Sequence, residues 1–130
     1  MKSKGRVINA GEAKGEAFVL DIPFSFIGDF DPKTGKFEVK GQPLYGESLA
    51  GKVLVCPTGK GGTIAPFIAY EAWKIGKAPA AILCNSADPI LCESALVINI
   101  PILDSFDTDI VQSVNTGEMV SISGNEVVAE

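Results

Sequence analysis

Apolar and polar residues alternate over short runs in the first half of the chain, at "RVINAG", "GEAFVLD", "FSFIG", "KFEVKG" and "KVLVCP". Each run is bounded by Gly, Pro or Asp, which predicts strands separated by tight corners. Within "FDPKTGKFEV" the pairs Asp31-Pro32 and Thr34-Gly35 predict a turn that leads into alternating Phe37 and Val39. The first half is therefore expected to be antiparallel or mixed β-structure. After "KVLVCP" the rhythm changes. The segment "IAPFIAYEAWKIG" carries apolar residues at helical spacing, and Ile64, Phe67, Ile68, Ala72 and Ile75 form the expected buried face, with Trp73 near its edge. Thr63 is the expected N-cap, Pro66 fits a first turn where its missing donor does no harm, and Gly76 is a stop. "AAILCN" then reads as a second buried strand, so that strand, helix and strand make a βαβ unit with parallel strands. Beyond it, Asp88-Pro89 opens a short helical turn before a strand around Leu96 to Ile100. Asp107 or Thr108 caps a small helix through Val114, and "EMVSIS" and "NEVVAE" supply final strands around Gly124. The expected fold is α/β, one domain over residues 1–130, with a β-rich first half and a parallel βαβ second half.

Composition narrows the chemistry. A 130-residue chain that is 46% hydrophobic and 21% charged is long and apolar enough to bury a core. Its formal charge of -5 gives no general attraction to a phosphate backbone, so nucleic acid is not an expected partner. There is no histidine, which removes histidine-dependent triads and histidine-bound metal sites unless another chain supplies the ring. Cys56, Cys84 and Cys92 match no zinc or iron-sulfur spacing, and the first two fall in apolar strands as structural thiols. "MKSKGRVINAG" lacks the apolar segment of a signal peptide, and the stretch from Ile64 to Ile75 is too short to span a bilayer and contains Glu71 and Lys74. A soluble cytoplasmic protein, not bound to membrane, is expected.

The stretch with most potential chemistry is "PTGKGGTIAP", between the strand at Cys56 and the predicted helix. Two readings fit it. Successive backbone donors at Gly59, Lys60, Gly61 and Gly62, with the helix amino end, the Lys60 ammonium and the Thr63 hydroxyl, can hold an anion. The same residues can also make a purely structural turn. The spacing is not that of a nucleotide P-loop, where Lys immediately precedes Ser or Thr after four variable residues. Asp29, Asp31 and Asp88 stand beside turn residues and are expected to cap them. Arg6, the only arginine, suits either a surface position or a bidentate carboxylate or phosphate contact. Asp104, Asp107 and Asp109 lack the ligand order and glycine of a calcium loop. Trp73, Tyr70 and the seven phenylalanines read as core or interface material.

Three segments occur in order, "GEAKGEAFVLDIPFSFIGDFDPKTG", "GQPLYGESLAGKVLVCPTGKGGT" and "GKAPAAILCNSADPILCESALVINIPILD". Together they resemble the small, swivelling-domain subunit of the aconitase X family, over nearly the whole chain from about Gly5 to Gly124. The resemblance implies a swivelling β/β/α domain packed against a larger subunit that holds an iron-sulfur (4Fe-4S) cluster, with none bound by this chain alone. It also implies a hydro-lyase, active only with that large subunit, that removes water from (R)-5-phosphomevalonate to give trans-anhydromevalonate 5-phosphate in archaeal isoprenoid synthesis. In related small subunits the glycine turn reads like Gly-Lys-Gly-Ser-Thr and its serine is thought to accept the proton. Here Gly59, Lys60, Gly61 and Thr63 keep the pattern, whereas the serine position is Gly62. Either Thr63 takes that role, or the base lies elsewhere, or the chain is impaired. The resemblance thus makes Thr63 the candidate base and Gly59, Lys60, Gly61 and Gly62 the candidate substrate-binding residues. A binding or regulatory domain that lost the serine, and a dehydratase subunit for another hydroxy acid, are the competing readings.

Overall fold

The computed structural model describes residues 1–130. Its strands are β1 (Lys2–Lys4), β2 (Arg6–Asn9), β3 (Glu12–Val19), β4 (Val53–Cys56), β5 (Ala81–Cys84), β6 (Ile102–Asp104), β7 (Met119–Ser123) and β8 (Glu126–Ala129). Its helices are α1 (Phe26–Asp29), α2 (Ala65–Lys74), α3 (Pro89–Val97) and α4 (Ile110–Ser113). The strands lie in the order β1-β8-β7-β3-β4-β5-β6-β2. Glu12 to Glu16 of β3 pair antiparallel with β7, while Ala17 to Val19 pair parallel with β4. β3 is thereby shared between an antiparallel half and a parallel half, as a mixed sheet requires.

Period-two alternation in the central strands feeds two cores. Val53 and Val55 of β4, with Ala81 and Leu83 of β5, pack with Val120, Ile122 and Val127 of the antiparallel half. Leu54, Cys56, Ile82 and Cys84 face the other way, against α2 and α3. The result is a β/β/α layering with the expected parallel pair, Val53 to Cys56 in register with Ala81 to Cys84, joined through α2.

The irregular segment between β3 and β4 is held by phenylalanines. Phe24 meets Phe26 edge to face at 5.1 Å between centroids, and Phe26 meets Phe30 at 5.2 Å. Phe24, Phe26 and Phe37 are fully buried, each worth about 1.5–3 kcal/mol of transfer free energy. "FSFIG" is consequently not the expected strand. Ser25 caps a kinked turn of helix, its Oγ accepting from the Ile27 amide at 3.1 Å, and Gly28 takes φ +88. "KFEVKG" likewise makes only isolated bridges, Phe30 with Phe37 and Lys36 with Ser48, because Phe37 is anchored in the aromatic cluster rather than along a neighbouring strand.

Four further expectations are corrected, the last of them in part. Leu96 to Ile100 is not a strand, because α3 continues from its Asp88 cap through Val97 and the strand is β6. The last short helix is capped by Asp109, whose Oδ1 accepts from Val111 and Gln112, while Asp107 accepts from Ser3 Oγ. Thr63 does not cap α2: Ile64 holds that position in helical conformation with no side-chain cap. The buried face of α2 differs in part from the one expected. Ala72 is buried and Ile68 packs against the core as expected, and Ala65, Pro66 and Ala69 join them, whereas Ile64, Phe67 and Ile75 lie more than half exposed. Small side chains let the helix approach the sheet and α3 closely. No helix is long and apolar enough to cross a membrane.

Candidate functional site

The glycine turn leaves the carboxyl end of β4, beside the carboxyl end of β5, the edge where open α/β sheets place their sites. The Pro57 carbonyl accepts from both Asn85 and Ser86 at 3.1 Å, tying the two exits together. Thr58 is held by the Phe24 amide, which donates to its carbonyl at 3.0 Å. At Gly59 a Cβ would lie 2.0 Å from Asp88 Oδ1, and that carboxylate caps α3 by accepting from the Leu91 amide at 3.1 Å. Gly59 is thus a close-approach glycine, its missing side chain making room for a helix cap.

Gly61 and Gly62 follow with φ +81 and +95, a conformation that side chains disfavour. Ser25 Oγ donates to the Gly61 carbonyl at 3.0 Å. A Cβ on Gly62 would stand 2.5 Å from Ile27 Cγ2 and 3.5 Å from Ser25 Oγ. The amides of Gly61, Gly62, Thr63 and Ile64 donate to no group in the chain, and these residues are exposed or half-buried. Four successive unpaired donors entering a ten-residue helix form a cradle of positive potential suited to an anion. The Thr63 hydroxyl is exposed and bonds no protein group.

The lysine is engaged. Lys60 Nζ lies 2.9 Å from Asp29 Oδ2 and 3.1 Å from Oδ1. Asp29, buried beneath the turn, also accepts from the Ser25 amide at 3.1 Å. The ion pair cancels its own charge, so the amides carry the cradle's potential, while an ammonium with three donors keeps one beyond Asp29. The α1 turn, Ser25 to Asp29, grips the glycine turn at two points, the Gly61 carbonyl and the Lys60 ammonium. Ser25 and Ile27 escape a sequence reading that makes "FSFIG" a strand. The available signals were Ser25, a residue type favoured at helix N-caps, and Gly28, which breaks a strand pattern.

Asp31 stays in its own turn, accepting from the Lys33 amide and Thr34 Oγ1, and the Lys33 bond holds its carboxyl below the usual range. Arg6 meets Asp104 bidentately, Nε to Oδ1 and Nη2 to Oδ2, both at 2.8 Å. Burial pushes the Asp104 carboxyl up, but the bonds from Arg6 and from the Ala87 amide at 2.9 Å outweigh it and hold the group below the ordinary carboxylate range.

Cys56 and Cys84 face each other across the parallel pair with Sγ atoms 3.7 Å apart, fully buried. The bond to Cys56 and burial push the Cys84 thiol well up, and burial raises Cys92, so neither thiol is poised as a thiolate. No three His, Cys, Asp or Glu side chains converge to hold a metal, and the donor set here does not fit an iron-sulfur cluster.

Residues 2–130 match the family described as the aconitase X swivel domain. The chain is similar to the phosphomevalonate dehydratase small subunit of Methanosarcina acetivorans, 39% identical over 126 residues that span 97% of this chain and 88% of that one. It is similar to the phosphomevalonate dehydratase small subunit of Thermococcus onnurineus, 39% identical over 130 residues that span 100% of this chain and 98% of that one. Among solved structures it resembles Thermococcus kodakaraensis aconitase X in its holo form, with a TM-score of 0.91, 38% identity, and coverage of 100% of this chain and 98% of that one.

Proposed function

The chain belongs to the aconitase X swivel-domain family, and from that premise we propose that it is the small subunit of a phosphomevalonate dehydratase. The observation that carries the reading is likeness from end to end: dehydratase small subunits match 97% and 100% of this chain at 39% identity. The reaction takes a proton from one carbon of (R)-5-phosphomevalonate and a hydroxyl from its neighbour, releasing water and trans-anhydromevalonate 5-phosphate. In this reading the iron-sulfur cluster is held by the large subunit.

This chain contributes the turn that closes over the site. Thr63 serves as the base in place of the serine that relatives carry at position 62. Its free, exposed hydroxyl one residue further along supports that role, and so do the unpaired amides around it, which stabilise negative charge on an oxygen held there. The remaining Lys60 donor and the amides of Gly61 and Gly62 receive anionic groups of the substrate, and Gly59 sets the path of the turn. Proton transfer through an activated group of this kind contributes about 10²–10⁴-fold, so Thr63→Val, which keeps size and deletes the hydroxyl, is expected to lower kcat by that order. Unchanged turnover in the assembled enzyme would remove Thr63 from the chemistry.

The reading as a whole is tested anaerobically, by mixing the chain with its cognate large subunit and following loss of (R)-5-phosphomevalonate against the large subunit alone. Turnover only in the mixture supports it. A tight, cluster-loaded complex without turnover would indicate another hydroxy acid or a regulatory swivelling domain, the reading that Gly62 favours.

A further inference from the structure

α2 turns its aromatic side chains, Phe67, Tyr70 and Trp73, toward solvent. Phe67 is 72% exposed, Trp73 50% and Tyr70 40%, and Val97 of the neighbouring α3 is 48% exposed. These residues are contiguous. Tyr70 stacks on Trp73 with centroids 5.8 Å apart, and Phe67, Tyr70 and Val97 line one shallow groove of about 410 Å³ with Pro66, Glu71 and Glu93. An aromatic side chain buries about 150–250 Å², so the three rings alone leave on the order of 300 Å² of apolar surface open. That reaches the size of the largest patch on a typical monomer, about 300–600 Å². Scattered surface residues do not produce it.

The position of the patch selects its occupant. It begins at the glycine turn: Thr63 is followed by Ile64, which is 52% exposed and whose carbonyl receives the Phe67 amide at 3.0 Å. From Phe67 the stripe runs six residues to Trp73, about 9 Å along the helix axis. Ile64 makes the patch continuous with the turn, so a body that covers the turn can also reach Phe67. Its rim is net acidic: Glu71 is paired with Lys74 at 3.2 Å, whereas Glu93 makes no ion pair within the chain. A second copy, with the same formal charge of -5, would bring net repulsion to this contact.

We infer that the outward face of α2 with Val97 of α3 is the surface on which the large subunit docks, with Phe67, Tyr70 and Trp73 as its aromatic anchors. The inference rests on the small-subunit reading above. A standard interface takes about 800 Å² from each partner; the patch supplies somewhat over a third of that, and the glycine turn with Ile64 continues it. The matching surface on the large subunit is apolar at its centre and basic at its edge facing Glu93.

The test is a binding measurement, independent of turnover. Phe67→Glu and Trp73→Glu alter exposed side chains and are expected to leave the melting temperature of the isolated chain within a few degrees. Titrated against the cognate large subunit, each is expected to weaken Kd at least tenfold, and Glu93→Gln to reduce the dependence of association rate on salt. A folded Phe67→Glu and a folded Trp73→Glu that both bind within twofold of wild type overturn the assignment while leaving the subunit reading intact. Self-association of the wild type that Phe67→Glu abolishes, with binding to the large subunit unchanged, overturns it in favour of a second copy. Failure of the wild type itself to bind overturns both.

Discussion

Gly62 is a residue whose place in the turn resists a side chain. Its φ of +95 sits in the region that costs a side chain about 1–2 kcal/mol, and a Cβ there would press on Ile27 Cγ2 at 2.5 Å. Gly62→Ser is therefore expected to lose about 1–2 kcal/mol of stability in urea denaturation. Adding Ile27→Ala should relieve the contact but not the backbone strain, so only part returns; a Gly62→Ser chain as stable as wild type would show that the turn is not confined. Beneath it, removing the Lys60 ammonium leaves the Asp29 carboxylate, with its side chain 9% exposed, bonded only to the Ser25 amide. Broken buried pairs cost about 3–5 kcal/mol, but Lys60 is half open to water, and about 1–2 kcal/mol is expected for Lys60→Met. Asp29→Asn in that background should recover much of the loss, because the stranded charge goes with it. A double-mutant cycle measures this directly.

At the scale of elements, what was legible in the sequence follows from whether neighbours or the chain itself decide the outcome. Asp88-Pro89 announces its helix because the cap and the ring act locally; β4 and β5 announce themselves as short apolar runs buried between two cores, and β7 and β8 by an alternation that faces one. The glycine turn was legible as a candidate site, since Gly and Lys at a strand exit carry their meaning with them. α2 was legible as a helix but not in its orientation. Ile64, Phe67 and Ile75 have the spacing of a core face, yet the side of the helix that meets the core is built from Ala65, Ala69 and Ala72 with Pro66 and Ile68, and no hydropathy pattern states how close two elements lie. Nor does the spacing of Ser25 and Asp29 say that they will meet Gly61 and Lys60 more than thirty positions away. The packing makes a testable contrast. Ala69→Leu, at a fully buried position, is expected to lose about 1–3 kcal/mol through overpacking, whereas Phe67→Ala should change the isolated chain by no more than about 0.5 kcal/mol. The same two substitutions should exchange ranks when binding to the large subunit is measured.

Across the whole molecule, one polar contact joins the ends of the fold to the site. Arg6 and Asp104 are 98 positions apart, brought together because β2 runs antiparallel to β6 with these two residues in register. The sequence marks Arg6 as the only arginine but cannot name its partner, which exists only once that pairing forms. Asp104 in turn receives the Ala87 amide, fixing the loop whose next residue, Asp88, caps α3 and fills the space left by Gly59. A pH dependence follows with a definite sign. The carboxyl is held below the ordinary range in the folded chain, while the unfolded chain has the ordinary value of about 3.9. Between those two values the unfolded state binds the extra proton, so stability rises with pH there. The contribution is fully present above about pH 4 and is lost as pH falls through the folded value. Asp104→Asn should therefore melt below wild type at pH 6, and the gap should close as the pH falls through the folded value, where wild-type Asp104 becomes protonated and resembles the amide. A gap that stays constant across that range would mean that the carboxylate's charge does not hold β2, β6 and the Ala87 loop together.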